Sequence, residues 1–248
     1  RHALRLVELF DAFVSVEEHT DLTNDLDNAI YYARRFYLIC PERFIVKIPL
    51  SPAGILATRR VSAEGIPVNH TLGFSARQNY VISRIGHPSF VNVFLGRLNN
   101  LVAENALGSG ELVGEKATLA TQAVLAMLRR DYSLSTRLIG ASFRSGAQVR
   151  DLAGVDIMTI PPKVAQEFLE LGLTPGELED RTDCRYEPPL VRDAAHVGLD
   201  CLWDIDRELR TCVDALEKED VDHFTADQLV DFFERYECAD LFVRWTDA

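Results

Sequence analysis

One lysine occupies a position where a lysine is unusual. Lys47 lies inside the apolar run Phe44-Ile45-Val46-Lys47-Ile48, whose β-branched and aromatic residues predict a strand. Burial favours the neutral amine over the ammonium ion, and a neutral amine is a nucleophile. Lysine is rarely buried for packing alone, but a lysine at a strand end can also extend its amine into solvent. Lys47 is therefore a candidate nucleophile, and the solvent-exposed alternative stays open.

Further polar residues occur late in predicted strands, where ligands bind in both barrels and open α/β sheets. They are Glu17, Asn69, Thr71, Asn92, Arg97, Ser142 and Arg144. Two structural alternatives stay open for members of this set. Glu17 is followed by Glu18 and His19, as in a solvated charged turn. Asn69 and Thr71 can instead close hydrogen bonds at a strand end.

Six short β-rich runs, which alternate with helical patterns, must position these residues. The runs lie near Phe13, Phe44, Pro67, Phe90, Thr136 and Ile157. The helical patterns between them include 52–64 and 75–85, each followed by a glycine stop. Such alternation predicts parallel strands, in either a closed barrel or an open doubly wound sheet. No run is followed by GxGxxG or GxxxxGK[ST], which favours the barrel.

The remaining segments are predicted to be a loop and a helical extension. The polar segment 98–114 is interpreted as a long loop between a strand and a helix. After Pro188-Pro189, amphipathic patterns predict helices over 193–217 and 226–236. We therefore expect a barrel domain at 1–173 and, packed on it, a helical C-terminal extension at 174–248.

The net charge limits the classes of binding partner, and the cysteine content indicates the cellular compartment. The formal net charge of −12 opposes non-specific binding to nucleic acid or an anionic membrane, and an anionic substrate needs a local basic pocket. No apolar run reaches the roughly 18 residues of a membrane helix. Five scattered cysteines without a CxxC pair predict a reducing compartment, and we expect the cytoplasm. Histidine and carboxylate spacings indicate no metal site.

Taken together, the motifs resemble those of the transaldolase family. The matching segments are IVKIP at 45–49, EGIPVNHTLGFS at 64–75 with Gln78, FLGR at 94–97, and GASFR at 140–144. They keep the family's order and spacing through four consecutive strands, and the resemblance covers residues 14–169. The family belongs to the class I, Schiff-base-forming aldolase superfamily. The resemblance therefore implies an α/β fold of the (β/α)8 TIM barrel type, plus the C-terminal helices.

The resemblance also implies catalytic roles, residue by residue. Lys47 would form the Schiff base with the carbonyl group of a ketose. Asn69 would hold a hydroxyl group of the bound three-carbon fragment. Glu17 and Thr71 would hold the water molecule that relays protons.

A second group of residues would contact the rest of the substrate. Arg97, Ser142 and Arg144 are similar to the residues with which the family binds phosphate, and would supply the local positive charge. Asn92 and Phe94 would face the substrate from one strand. Asn92 stands where the family commonly has a serine, and this departure bears on the sugar preference more than on the reaction.

The function that the resemblance implies is transfer of a dihydroxyacetone unit between sugar phosphates, as in the pentose phosphate pathway, without a cofactor. A class I aldolase, similar to fructose-6-phosphate aldolase, is the nearest alternative. Phe94 favours transfer, because the aldolase branch tends to carry a tyrosine there. A non-catalytic barrel that binds sugar phosphates also stays open. Sugar phosphates are the expected partners, and a homodimer stays open.

The strand count is two short of the family's closed barrel. Lys47 lies on the second predicted strand, whereas the family's lysine lies on the fourth. The family's first strand also carries an aspartate that serves as general acid and base, and nothing in 1–13 matches it, although Glu8 and Asp11 lie there. We therefore expect either a longer native chain with the aspartate upstream, or a remodelled barrel that the C-terminal helices close and that is catalytically impaired.

Overall fold

The computed structural model describes residues 1–242, and these contain a parallel sheet of six strands. The strands are β1 (Val14–Glu17), β2 (Phe44–Pro49), β3 (Val68–Thr71), β4 (Phe90–Phe94), β5 (Arg137–Ala141) and β6 (Ile157–Met158). They follow one another across the sheet in chain order. This arrangement confirms the predicted count of six strands in the described residues and the strand–helix alternation of a (β/α)8 barrel.

Helices follow each of the six strands. The α-helices are α1 (His2–Phe10), α2 (Leu26–Ile39), α3 (Pro52–Ala63), α4 (Ala76–Val81), α5 (Leu95–Glu104), α6 (Val113–Tyr132), α7 (Gly146–Asp151), α8 (Pro162–Glu170), α9 (Arg207–Leu216) and α10 (Ala226–Arg235). A π-helical turn, Ile82–Gly86, continues α4. None of the helices within residues 1–242 combines the length and the apolarity needed to cross a membrane.

The chain forms two compact units. The first contains 1–71, 81–91 and the residues from Asp206 onward, and the second contains 72–80 and 92–205. The division of the chain at residue 173 stays a prediction.

The core of the first unit lies between its strands and helices α2 and α3. In β2, Val46 and Ile48 are fully buried, whereas Lys47 between them is only partly covered. Because side chains alternate across a strand, Lys47 lies on the face opposite to this core. The core cluster consists of Ala29, Ile30, Ala33, Val46, Ile48, Ala57, Val61, Ile66 and Val68.

Local sequence signals start the helix that follows the lysine strand. The Ser51 hydroxyl caps α3 by accepting a hydrogen bond from the Gly54 N–H at 2.8 Å, and it donates to the Thr23 carbonyl oxygen. A Cβ atom on Gly54 would lie 2.1 Å from the Pro49 carbonyl oxygen. Helix α3 can therefore begin this close to the end of β2 only because residue 54 is glycine.

Ion pairs attach the C-terminal helices of the first unit to its other elements. Arg84, in the π-helical turn, is 2% exposed, and its Nε donates to Glu217 Oε1 at 2.7 Å. Arg59, on α3, donates to Asp222 at 2.6 Å. Residues that follow α9 are thus held against α3 and the π-helical turn by charged groups.

The core of the second unit lies among α5 to α8 and includes Phe143, which follows β5. Its cluster consists of Leu95, Leu119, Phe143, Val149, Leu152, Val155 and Val164. Asp156, at the start of β6, accepts hydrogen bonds from the Leu138 N–H and from Arg129. Strands β5 and β6 are therefore tied to α6 through one carboxylate.

The prediction of a loop over 98–114 is wrong. Helix α5 occupies the first part of this segment, and only 105–112 connects it to α6. The helix begins at Leu95, immediately after β4, so no turn residues mark its start. Leu95, Leu98 and Val102 are buried on one side of it, which is the spacing of an amphipathic helix.

The prediction of one continuous helix over 193–217 is also wrong. Two short 3-10 turns, Ala194–Val197 and Asp200–Leu202, precede α9. Gly198 ends the first turn with a φ of 70°, a conformation that glycine adopts readily. Asp206 then caps a new helix by accepting from the Leu209 N–H.

Candidate active site

Three predicted site residues lie side by side on adjacent strands of the first unit. The strand register pairs Glu17 with Lys47, and Lys47 with Asn69. Lys47 Nζ lies 3.5 Å from Glu17 Oε2. Asn69 Nδ2 donates to Ser15 Oγ at 3.1 Å, which places its carboxamide on the same face as Glu17. The amine, the carboxylate and the carboxamide form one row, which we call the lysine row.

The Lys47 amine lies at the border between the sheet and solvent. Its side chain is 21% exposed, and that of Glu17 is 60% exposed. Lys47 is therefore neither sealed in an apolar strand nor freely solvated. Glu17 belongs to β1 and not to a charged turn, and its carboxylate lies within ion-pair distance of the Lys47 amine.

Thr71 adds a buried hydroxyl group to this face. It follows Asn69 by two residues in β3, so both side chains lie on the same side of the strand. Within the described residues, no protein group forms a hydrogen bond with Thr71 Oγ1. A buried hydroxyl without a partner costs about 1–3 kcal/mol, so this oxygen is well suited to meet a substrate hydroxyl or a water molecule.

Glu18, which would lie in the solvated turn that was the alternative for Glu17, is buried instead. It is 4% exposed, and neither carboxylate oxygen has a hydrogen-bond partner among residues 1–242. Burial raises the pKa of Glu18 to about 8. Its backbone N–H donates to the Lys47 carbonyl oxygen at 3.1 Å, which continues the pairing of β1 with β2. The period-2 pattern of Val14, Val16 and Glu18 is the signal that places it opposite to Glu17.

His70 lies between Asn69 and Thr71 in sequence but belongs to the core side of β3. Its Nδ1 and the Thr58 hydroxyl are 2.8 Å apart. Complete burial lowers the pKa of His70 to about 3. The ring is therefore neutral at physiological pH and serves in packing rather than in proton transfer.

In the second unit, the segments that carry the two predicted phosphate-binding arginines are packed closely together. A Cβ atom on Gly96 would lie 2.3 Å from the Ser142 carbonyl oxygen and 2.9 Å from Arg144 Nε. Gly96 directly precedes Arg97 in the first turn of α5. The Arg144 side chain therefore runs along the start of α5, and Arg97 and Arg144 are both exposed.

This region is electrostatically suited to an anion. Helix α5 has ten residues, and its first turn presents backbone N–H groups and the positive end of the helix dipole. Two guanidinium groups at the same helix end add charged donors that match phosphate geometry. Ser142 lies beside them with a φ of 68°. We call Gly96, Arg97, Ser142 and Arg144 the arginine cluster.

Strand β4 holds Asn92 and Phe94 on one face. Asn92 is buried, and its carbonyl oxygen accepts from Asn79 Nδ2 at 3.2 Å. The Phe94 ring packs against Phe74 with 5.7 Å between ring centroids. Phe94 thus offers an apolar surface without a group that can donate a proton.

The structure shows two groups of predicted residues, the lysine row in the first unit and the arginine cluster in the second. Near the N-terminus, the Asp11 carboxylate is paired with Arg43, so its charge is already matched. Among residues 1–242, no three His, Cys, Asp or Glu side chains are grouped as a metal site requires.

Comparison with known proteins agrees with these features. Residues 1–230 match the family described as transaldolase/fructose-6-phosphate aldolase. A probable transaldolase of Symbiobacterium thermophilum is 30% identical over 176 residues, which cover 70% of this chain and 73% of the relative. A probable transaldolase of Desulfatibacillum aliphaticivorans is 36% identical over 135 residues, with 54% and 56% covered.

A third relative extends the match along the chain. A transaldolase of Xanthomonas euvesicatoria is 30% identical over 204 residues, which cover 79% of this chain and 63% of the relative. The chain thus spans less than two thirds of two of these three relatives. Because the family match includes both the lysine row and the arginine cluster, this chain belongs to the transaldolase/fructose-6-phosphate aldolase family.

Proposed function

We propose that the chain transfers a dihydroxyacetone unit from a ketose phosphate to an aldose phosphate through a Schiff base on Lys47. The lysine row carries this proposal: an amine, a carboxylate 3.5 Å away and a neighbouring carboxamide meet on one face of the sheet. Transaldolase is also the activity in the names of the relatives.

The lysine row has the groups that the first half of the reaction requires. Glu17 takes a proton from Lys47, whose neutral amine then adds to the ketose carbonyl carbon, C2. Return of a proton releases the C2 hydroxyl as water and leaves an iminium ion. The Asn69 carboxamide holds a hydroxyl of the three-carbon fragment, and Thr71 and Glu17 hold the water that carries protons.

The iminium ion then accepts electrons from the bond that breaks. When the C4 hydroxyl gives its proton to the water held by Thr71 and Glu17, the C3–C4 bond breaks, an aldose phosphate leaves, and an enamine remains on Lys47. The enamine then attacks the aldehyde carbon of the acceptor, the aldehyde oxygen takes that proton back from the water and becomes a hydroxyl, and the iminium ion re-forms. Water then adds at C2 and releases the new ketose phosphate.

The phosphate group of each sugar is assigned to the arginine cluster, where Arg97 and Arg144 make charge-assisted hydrogen bonds and Ser142 adds a hydroxyl. The family resemblance also assigns a substrate contact to Asn92. These contacts need no metal ion and no organic cofactor.

Phe94 favours transfer over simple aldol cleavage. An aldolase must protonate the enamine to release dihydroxyacetone, and a phenyl ring cannot donate that proton. Phe94 thus supplies no proton for this step, which favours survival of the enamine until an acceptor aldehyde arrives. We place this reaction in the pentose phosphate pathway.

We assign the protein to a reducing compartment, the cytoplasm. All five cysteines lie in the described part of the chain, and all are thiols.

A coupled assay tests the proposal. The chain is given fructose 6-phosphate with and without an aldose phosphate acceptor, and release of glyceraldehyde 3-phosphate is followed through NADH oxidation. We expect release that depends on the acceptor. Equal release without acceptor would show an aldolase, and no release would favour a binding protein. Lys47→Arg should be inactive, and Lys163→Arg, at an 89% exposed lysine, serves as the matched control.

A further inference from the structure

A buried carboxylate links the two arginine-bearing segments of the second unit. Glu115, near the start of α6, is 4% exposed. Its Oε2 accepts from Asn99 Nδ2 at 3.1 Å, and its Oε1 accepts from Gln148 Nε2 at 2.7 Å. Asn99 follows Arg97 by two residues on α5, and Gln148 lies on α7, four residues after Arg144. One side chain thus holds a residue from each segment.

Gln148 and Asn99 also accept hydrogen bonds from backbone N–H groups. Gln148 Oε1 accepts from the Arg144 N–H at 2.7 Å. Asn99 Oδ1 accepts from the Gly114 N–H at 2.7 Å. The resulting chain of hydrogen bonds runs from the Arg144 backbone to the start of α6, with Glu115 at its centre.

Close backbone contacts restrict movement of the segments that carry Arg97 and Arg144. A Cβ atom on Gly114 would lie 2.2 Å from the Leu95 carbonyl oxygen, so the starts of α5 and α6 are in backbone contact. A Cβ atom on Gly96, the residue after Leu95, would lie 2.3 Å from the Ser142 carbonyl oxygen. Displacement of either amide partner of Glu115 would therefore move backbone that carries an arginine.

The chemistry of the partners explains why this residue is a carboxylate. Asn99 and Gln148 each turn an NH2 group toward Glu115, and a carboxylate accepts on both oxygens, whereas a glutamine amide accepts on one. A buried carboxylate is costly unless it is hydrogen-bonded, and an apolar side chain would fill the space at lower cost. A carboxylate at position 115 fixes the orientation of the Gln148 amide, and this amide in turn holds the Arg144 N–H. An apolar residue at position 115 could not do this.

We propose that Glu115 is a positioning residue for phosphate binding, which fixes the segment of Arg144 relative to that of Arg97. This inference rests on the proposed function in one respect, namely that the two arginines bind the phosphate group of the sugar. Glu115 itself contacts neither the phosphate nor Lys47 in this account. It acts through Gln148 and Asn99.

Exchange of the two side chains provides a direct test. Glu115→Gln leaves one NH2 group facing another. The double variant Glu115→Gln with Gln148→Glu restores every bond, because the carboxylate introduced at position 148 then accepts both from the amide at position 115 and from the Arg144 N–H. Thr121→Val is the matched control, since the Thr121 hydroxyl is buried in the same helix and bonds only within it, to the Ala117 carbonyl oxygen.

The measurements separate positioning from folding. Inorganic phosphate is titrated calorimetrically into each variant, thermal unfolding gives Tm, and borohydride trapping with unphosphorylated dihydroxyacetone reports on Lys47. We expect Glu115→Gln to weaken phosphate binding about tenfold or more, which is the loss expected when Arg144 is displaced and one charge-assisted contact with the phosphate is no longer made. We expect the double variant to recover the parent affinity, and Thr121→Val to keep it even if Tm falls. Trapping should be unchanged throughout.

Three results would overturn the inference. The first is parent-like phosphate affinity in Glu115→Gln. The second is a folded double variant that stays as weak as Glu115→Gln, and the third is an equal loss in Thr121→Val. If the parent chain binds no phosphate, the assigned phosphate site fails and the inference fails with it, whereas trapping on Lys47 still tests the Schiff base separately.

Discussion

Glu18 makes the stability of this protein depend on pH in a direction opposite to that of most carboxylates. Its side chain is 4% exposed and has no hydrogen-bond partner among residues 1–242, so burial raises its pKa from the ordinary 4.5 to about 8. The folded protein therefore holds a proton that the unfolded chain loses between these two pH values. Stability is greatest below pH 4.5, falls as pH rises to about 8, and is constant beyond it as far as this group is concerned.

The size of the change in unfolding free energy follows from the pKa shift of Glu18. Each pKa unit corresponds to about 1.36 kcal/mol, so the interval from 4.5 to about 8 is worth at most about 5 kcal/mol. Local opening that lets water reach the carboxylate reduces this value. Between pH 5.0 and pH 7.5 we expect the free energy of unfolding to fall by up to about 3 kcal/mol because of Glu18.

Glu18→Gln removes the titration and keeps the size and polarity of the side chain. Denaturant unfolding of the parent and the variant is measured at pH 5.0, 6.5 and 7.5, with Glu42→Gln, at an exposed glutamate, as control. We expect Glu18→Gln to be stabilised relative to the parent by an amount that grows with pH, and the control to show no such trend. A parent–variant difference that is independent of pH would refute the reasoning.

Three further predictions concern the arginine cluster and the C-terminal helices. Arg144→Ala should raise KM for phosphorylated donors roughly tenfold to a hundredfold while leaving unphosphorylated dihydroxyacetone nearly unaffected, and an equal loss on both in steady-state kinetics would show a structural role. Gly96→Ala should lower stability by about 1–3 kcal/mol in denaturant unfolding and weaken phosphate binding in calorimetry, because its Cβ would meet the Ser142 carbonyl oxygen at 2.3 Å. Arg84→Met should cost about 2 kcal/mol in denaturant unfolding, because Glu217 is only partly exposed and loses its cation; a cost near zero would show that the pair contributes nothing.

The sequence predicts the strands well because their signal is local. Phe44 to Ile48 is a run of β-branched and aromatic residues, and such a run has few alternatives to a buried strand. The positions of Lys47 and Asn69 on one face follow from the same pattern, once the strands are parallel and in register. The approximate positions of Arg97 and Arg144, just beyond the ends of β4 and β5, follow from the same strand pattern.

Tertiary contacts account for what sequence reasoning missed. No turn residues in the sequence mark the start of α5, because the helix follows β4 directly at Leu95. Glu18 and Glu115 look like surface charges in the sequence, and only folding shows that one is buried without a partner among the described residues and the other between two amides. The partner of Glu115 on α7 is 33 residues away, which no local pattern indicates.

The Schiff base on Lys47 is the central claim, and a single trapping experiment tests it most directly. The chain is incubated with fructose 6-phosphate and sodium borohydride, digested, and analysed by peptide mass spectrometry. The chain has four lysines, so labelling can be assigned to each. We predict a reduced adduct on the peptide that contains Lys47, with Lys116, Lys163 and Lys218 unlabelled. An unmodified Lys47, or labelling spread equally over all four lysines, would contradict the account.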